Sequence, residues 1–196
     1  MLTKLKQQVQ MWLTSTATLF HNLGLTPNHV SVLGIIFASL AAVTYSQWQF
    51  NHLLLILAPV LMLISGLFDA LDGVIARVYG EATTFGGFFD SLLDRCADAV
   101  ILCGIILGGL TQTVWGLAAL LGSLMVSYAR ARAEAAGIKM ESVGLAERAE
   151  RIVILALASF LSYVWLEALD WGVILLAVLT NLTVVQRALY FRKASQ

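Results

Sequence analysis

The sequence predicts an all-α polytopic membrane protein: six membrane-spanning helices preceded by an amphipathic helix lying on the membrane surface. Three observations carry this reading. Of the 196 residues, 59% are hydrophobic, only 12% are charged and two are proline, a balance too apolar for a soluble domain of this length. The apolar residues fall into six stretches, each long enough to cross a hydrocarbon core of about 30 Å. The twelve Lys and Arg are confined to the N-terminus, to positions in or beside the second and fourth connections, and to the C-terminal end.

Taken in order, residues 1–22 mix Lys4, Lys6, Gln7, Gln8 and Gln10 with Leu5, Val9, Trp12 and Leu13, which fits an interfacial helix better than a cleavable signal. Spans are expected at 29–48, 53–75, 86–110, 112–135, 148–168 and 170–190. Pro27 and Asn28 mark the start of the first, proline being favoured at the first helical position. The connections at Gln47–His52, Gly109–Thr113 and Glu167–Asp170 carry no Lys or Arg. Only an even number of spans puts all the basic segments on one side, and the positive-inside rule makes that side cytoplasmic, with both termini. Trp48, Trp115, Trp165 and Trp171 fall at the opposite ends, as an aromatic belt would. Six spans nearly exhaust the chain, which reads as a single domain over 1–196.

The formal net charge is zero, and there is neither an internal repeat nor a nucleotide-binding Gly-rich loop. No nucleic-acid partner is expected. Cys96 and Cys103 lie about 10 Å apart along one expected helix, too far to bridge, and no His stands near them for a metal. Packing is their expected role.

Chemistry is sought where the membrane logic is broken. Asp69, Asp72, Asp90, Asp94 and Asp98 sit inside the second and third apolar stretches. An aspartate at the centre of a spanning helix costs roughly 2.5 to 3.5 kcal/mol. Asp69 and Asp72 share one helix face by their spacing; Asp90, Asp94 and Asp98 share another. The connection between them is short, so the two faces converge just inside the membrane at its cytoplasmic edge. A hard divalent cation, Mg²⁺ or Mn²⁺, would offset the mutual repulsion of the carboxylates. Gly73, Gly86 and Gly87 flank the acids and would let a bulky ligand approach, while Arg77, one turn beyond Gly73, can meet a phosphate. Two rival readings exist. One is an acid–base network binding helices together through Arg77 or Arg95, which leaves too much negative charge unpaired. The other is a cation-coupled transporter, less well matched to carboxylates gathered at one interface beside glycines and arginines.

These residues resemble a known family. Asp69-x-x-Asp72-Gly73-x-x-Ala76-Arg77, eight further residues, and Gly86-x-x-x-Asp90-x-x-x-Asp94 match the signature of the CDP-alcohol phosphotransferases at all eight fixed positions. The resemblance implies attack on the pyrophosphate of a CDP-linked lipid: an alcohol takes the lipid phosphate and CMP leaves. It also implies that Asp69, Asp72 and Asp90 hold divalent metal and that Asp94 is the general base, also in reach of metal. CDP-lipid contacts carry over to Asp69, Gly73, Arg77, Thr83 and Gly86, and to Asn28, His29, Val30 and Ser31. Membrane prenyltransferases also use aspartate-rich motifs, but with more helices and different spacing.

The acceptor is read from Ser127 to Val153. Arg130 and Arg132 close the fourth span, Arg148 and Arg151 open the fifth, and Arg187 lies in the last. Basic residues at cytoplasmic helix ends are expected in any case, though Arg187 stands apart from the tail. A cluster of guanidinium groups suits a phosphorylated acceptor. The Ser-Tyr-x-Arg-Ala-Arg-Ala-Glu and Glu-Arg-x-Glu-Arg runs resemble the branch of the family that uses inositol 1-phosphate. Arg130 where lysine is common and Ala149 in place of a proline depart from its bacterial form, and Asn28-His29 with Phe85-Gly86-Gly87 lean towards its archaeal form. Glycerol 3-phosphate and serine are the alternative acceptors, and the lipid is a diacylglycerol or an archaeol. The resemblance further implies a homodimer in the cell membrane, its active site facing the cytoplasm. Gly104, Gly108, Gly109, Gly116 and Gly122 offer a close-packed face for that dimer.

Overall fold

A computed structural model of the chain describes residues 13–140 and 143–195, and among these there are helices and no strand. The first helix, α1, covers residues 13–22. It is followed by α2 (Pro27–Ser46), a short 3-10 turn (Trp48–Phe50), α3 (Leu54–Val78), α4 (Thr84–Leu107), α5 (Thr113–Ala135), α6 (Arg148–Ser162) and α7 (Ala168–Ala194). Residues 1–12 of the expected interfacial helix lie outside the described residues.

Local chemistry sets the two helix starts that matter for the site. Thr26 caps α2 by accepting from the His29 backbone N–H, and the His29 ring accepts from the Thr26 N–H in return, with Pro27 at the first helical position. Thr83 caps α4 through a 2.9 Å bond from the Gly86 N–H.

Four helices, α2, α3, α5 and α7, are long and apolar enough to cross a membrane. The other two expected spans differ for identifiable reasons. In α4 the first two-thirds carries Asp90, Asp94, Arg95 and Asp98, which dilutes its apolar character. Helix α6 has only 15 residues, about 22 Å of rise. It stops at Ser162 although the apolar run continues, because the Tyr163 carbonyl bonds the His52 ring at 2.8 Å and the chain turns before α7.

Helix α2 packs along both α3 and α4, α5 pairs with α7, and α6 lies between α7 and α3. The main core, built around Tyr45, Leu55, Met62, Leu102, Ile105, Leu169 and Leu176, joins these helices. A smaller cluster of Ala17, Val30, Leu71 and Ile75 seats α1 on α2 and α3, helped by the edge-on contact of Phe20 with Phe68.

Glycine serves close crossing inside this bundle. A Cβ on Gly104 would come 2.5 Å from the Ala42 backbone, and one on Gly108 would come 2.4 Å from the Tyr45 carbonyl oxygen. Gly116 faces Ile106 and Gly122 faces Thr180 at similarly forbidden distances. These four are therefore consumed by intrachain packing, and the expectation that they form a dimer face is corrected. Gly109 is exposed and adopts φ +68 in the turn after α4. Cys96 and Cys103 are both free and exposed, so neither packs in the core.

Candidate active site

Helices α3 and α4 present their acids to one another as their spacing requires. One carboxylate oxygen from each of Asp69, Asp72 and Asp90 lies within 4.8 Å of the others, a separation suited to a shared cation. Asp72 is 3% exposed and accepts a 2.5 Å bond from the Ser31 hydroxyl of α2, which fixes its orientation. The space among these acids, bounded also by Asp94 and Arg148, is about 10 Å³, room for one ion- or water-sized occupant.

Asp94 has different company. Its carboxylate meets Arg148 Nη1 at 2.6 Å and Arg95 at 3.5 Å, and Arg148 also pairs with Asp69. One turn on, Asp98 accepts from Arg151 Nη2 at 2.7 Å and lies 3.5 Å from Arg148 Nε. An acid–base network thus exists, but the main arginines come from α6, not from Arg77. It engages Asp69, Asp94 and Asp98, leaving Asp72 and Asp90 without a salt bridge among the described residues.

Two clefts open from this centre. The larger, about 430 Å³, runs between the start of α2, the end of α3 and the start of α4. Asn28, Ser31, Gly73, Arg77, Thr83 and Gly86 line it, together with Asp72 and Asp90. The Arg77 guanidinium lies over Gly73, where a Cβ would come 3.2 Å from its nitrogen. A Cβ on Gly86 would come 3.0 Å from the Thr83 hydroxyl. Both glycines therefore keep the cleft floor low. His29 and Val30, named from sequence with these residues, do not line the cleft: Val30 is fully buried in the smaller core and His29 is spent on the α2 cap.

The second cleft, about 140 Å³, lies on the other side of Asp94. Arg130, Arg148, Arg151 and Arg187 line it, with Asp98, Ser127 and Glu147. Arg151 is 5% exposed, and its Nε, buried beside this cleft, has no hydrogen-bond partner among the described residues. An anionic ligand would satisfy it. Arg132 is exposed at the end of α5 and does not line the cleft, because it stands two residues past Arg130 and so turns to another helix face. Sequence reasoning named Asp98 without a role and overlooked Ser127 and Glu147. The signal that could have found them is helical spacing, three residues from Ser127 to Arg130 and four from Glu147 to Arg151.

The comparisons with known proteins agree with this geometry. A family model described as CDP-alcohol phosphatidyltransferase matches residues 24–185. The archaetidylinositol phosphate synthase of Pyrococcus horikoshii is 40% identical over 193 residues, 98% of this chain and 97% of that protein. Two crystal structures of the phosphatidylinositol phosphate synthase of Mycobacterium tuberculosis superpose closely. One, with CDP-DAG bound, has a TM-score of 0.81 and 32% identity, covering 91% of this chain and 92% of that one. The other, in complex with manganese and citrate, has a TM-score of 0.80 and 31% identity, covering 91% and 88%. With a matching family model over most of its length and a near full-length relative at this identity, the chain belongs to the CDP-alcohol phosphatidyltransferase family.

Proposed function

We propose that this protein transfers the lipid phosphate of a CDP-linked lipid, carrying diacylglycerol or archaeol, to inositol 1-phosphate and releases CMP. One observation carries the reading: two clefts of different chemistry meet at the same carboxylates. The cleft containing Arg77 shares Ser31, Asp72 and Asp90 with the acidic centre, and the arginine-lined cleft shares Asp94 and Arg148 with it. A nucleotide on one side and a phosphorylated alcohol on the other would bring the pyrophosphate and the attacking hydroxyl together over the aspartates.

The donor set fits a divalent cation, Mg²⁺ or Mn²⁺, held by Asp69, Asp72 and Asp90, with Asp94 in reach of it. When bound, such an ion neutralises pyrophosphate charge and eases the departure of CMP. The chain's own residues do the rest. Ser31 orients Asp72, and Arg77 over Gly73 meets the nucleotide phosphate. Asp94, at the mouth of the acceptor cleft, takes the proton from the acceptor hydroxyl as its oxygen bonds to the lipid-linked phosphorus and the bond to CMP breaks. Arg148, Arg151 and Arg130 hold the acceptor phosphate, the buried Arg151 Nε being a donor that only a ligand would pair. The relatives' names support inositol phosphate over other phosphorylated alcohols. Nothing in the arginine cleft favours serine, which carries no phosphate.

The same reading extends to the whole chain: a single domain of six crossings, residues 1–22 as interfacial helix, both termini and the active site cytoplasmic in the cell membrane, and a homodimer. Gly104, Gly108, Gly116 and Gly122 are packed inside the bundle, so the homodimer of this reading would use another face. The test is an acceptor screen in detergent with CDP-lipid saturating. CMP release is expected with inositol 1-phosphate and little with inositol or serine. Preference for glycerol 3-phosphate would reassign the acceptor, and preference for serine would overturn the role given to the arginines.

A further inference from the structure

Two arginines of the acceptor cleft, Arg148 and Arg151, sit at the start of α6, yet α6 does not secure its own start. Glu147, at the N-cap position, makes no side-chain capping bond. The segment 143–147 leading into it has no regular structure, so its backbone groups need partners from elsewhere. They find them on α7. The Thr183 hydroxyl accepts from both the Leu145 and Ala146 N–H groups, at 3.1 and 3.2 Å, and donates its own proton to the Leu179 carbonyl at 2.8 Å. That uses its one donor and both lone pairs, and the side chain is fully buried. Gly144 completes the fit. It adopts φ +125, and a Cβ there would come 2.3 Å from Thr183 Cγ2. One turn further along α7, Arg187 donates Nε to the Val143 carbonyl at 2.8 Å and Nη1 to the Val126 carbonyl at 2.6 Å.

We propose that Thr183 is a positioning residue for the acceptor cleft: it straps the segment leading into α6 to a neighbouring helix and so sets where Arg148 and Arg151 present their guanidinium groups. Arg187 supports the same strap from below, with two of its three nitrogens committed to backbone carbonyls, and is more a strut than a phosphate ligand. Arg148 follows the strapped amides within three residues and reaches Asp69, Asp94 and Asp98 from that anchor. Loss of the strap leaves the cleft's residues present but displaced, and displacement by about 1 Å is enough to cost a site much of its efficiency.

The inference rests on the arginine cleft being the acceptor site, and the experiment separates the two. Thr183→Val keeps the branched shape and removes the hydroxyl; Thr183→Ser keeps the hydroxyl. Thr183→Val should raise KM for inositol 1-phosphate on the order of tenfold while KM for CDP-lipid stays within about twofold. Thr183→Ser should behave as wild type. Thr183→Ala carries the same expectation if the valine variant does not accumulate in the membrane. Arg151→Gln, measured alongside, reports on the cleft itself. If Arg151→Gln raises the acceptor KM and both hydroxyl-deleting variants leave it unchanged, or raise both KM values equally, the strap is overturned and the acceptor reading stands. If Arg151→Gln also leaves it unchanged, the acceptor reading falls and the inference with it.

Discussion

Asp94 differs from its neighbours in what surrounds it. Asp72 faces Ser31 and shares the acidic centre with Asp69 and Asp90, whereas Asp94 lines both that centre and the arginine cleft. On the proposed reading, a group lining both spaces is placed to take the acceptor's proton while close to the metal-binding carboxylates. Asp94→Asn preserves size and removes the base. The variant should still bind CDP-lipid, because Asp69, Asp72, Asp90 and Arg77 are untouched, yet its kcat should fall by about 10²–10⁴. Wild-type kcat in that variant, measured as CMP release at saturating substrates, would remove Asp94 from the proton transfer. Much of this site was legible in the sequence, because Asp69 with Asp72 and Asp90 with Asp94 are local helical spacings. The arginine partners were not so accessible. Arg148 meets Asp69 and Asp94 across 79 and 54 positions of chain, and no periodicity predicts a contact between separate helices.

At the scale of elements, α2 is the support on which the acidic pair of helices rests, and glycine is what lets α4 lie so close to it. The sequence shows small residues at helical spacing but not which helix they face. That is why Gly104 and Gly108 read as well for a dimer contact as for the α2–α4 crossing. The end of α6 is hidden in the sequence for a similar reason: the apolar run continues through Val164 and Trp165, while the His52 bond at the turn comes from another connection. The crossing gives a direct test. Gly104→Leu must push α2 and α4 apart, and overpacking of this kind costs about 1–3 kcal/mol or more. It should lower the melting temperature in detergent, whereas Gly66→Ala, whose new Cβ would find only an ordinary 3.4 Å contact with Ile152, should leave it near wild type. A Gly104→Leu protein with unchanged melting but altered oligomeric state would restore the dimer-face reading.

For the whole molecule, the two ends of the bundle are built differently. At one end α1 docks with the His21 ring tilted against Tyr79, the acidic centre opens, and Arg187 near the close of α7 holds the α5–α6 connection. At the other end Trp48 donates to the Gly108 carbonyl, His52 bonds Tyr163, and Asp170 accepts from Thr111 and Gln112. The first set lies at the connections that have Lys or Arg in or beside them and the second at those without, so the structure sorts the chain's connections into the same two groups as its charges. Six crossings follow if α4 and α6 span as their neighbours do, with the acidic end cytoplasmic. Orientation can be read by labelling in a background with Cys96→Ser and Cys103→Ser. Asn51→Cys lies at the end without basic residues and should react with a membrane-impermeant maleimide in intact cells. Lys139→Cys lies at the end of the active site and should react only after permeabilisation. Both positions are exposed, so access to the reagent depends on sidedness and not on packing. The opposite pattern would place the active site outside, where CDP-linked substrates would have to be supplied from across the membrane. Reaction of both in intact cells would mean that an even number of α3, α4 and α5 cross, and would break the six-crossing reading.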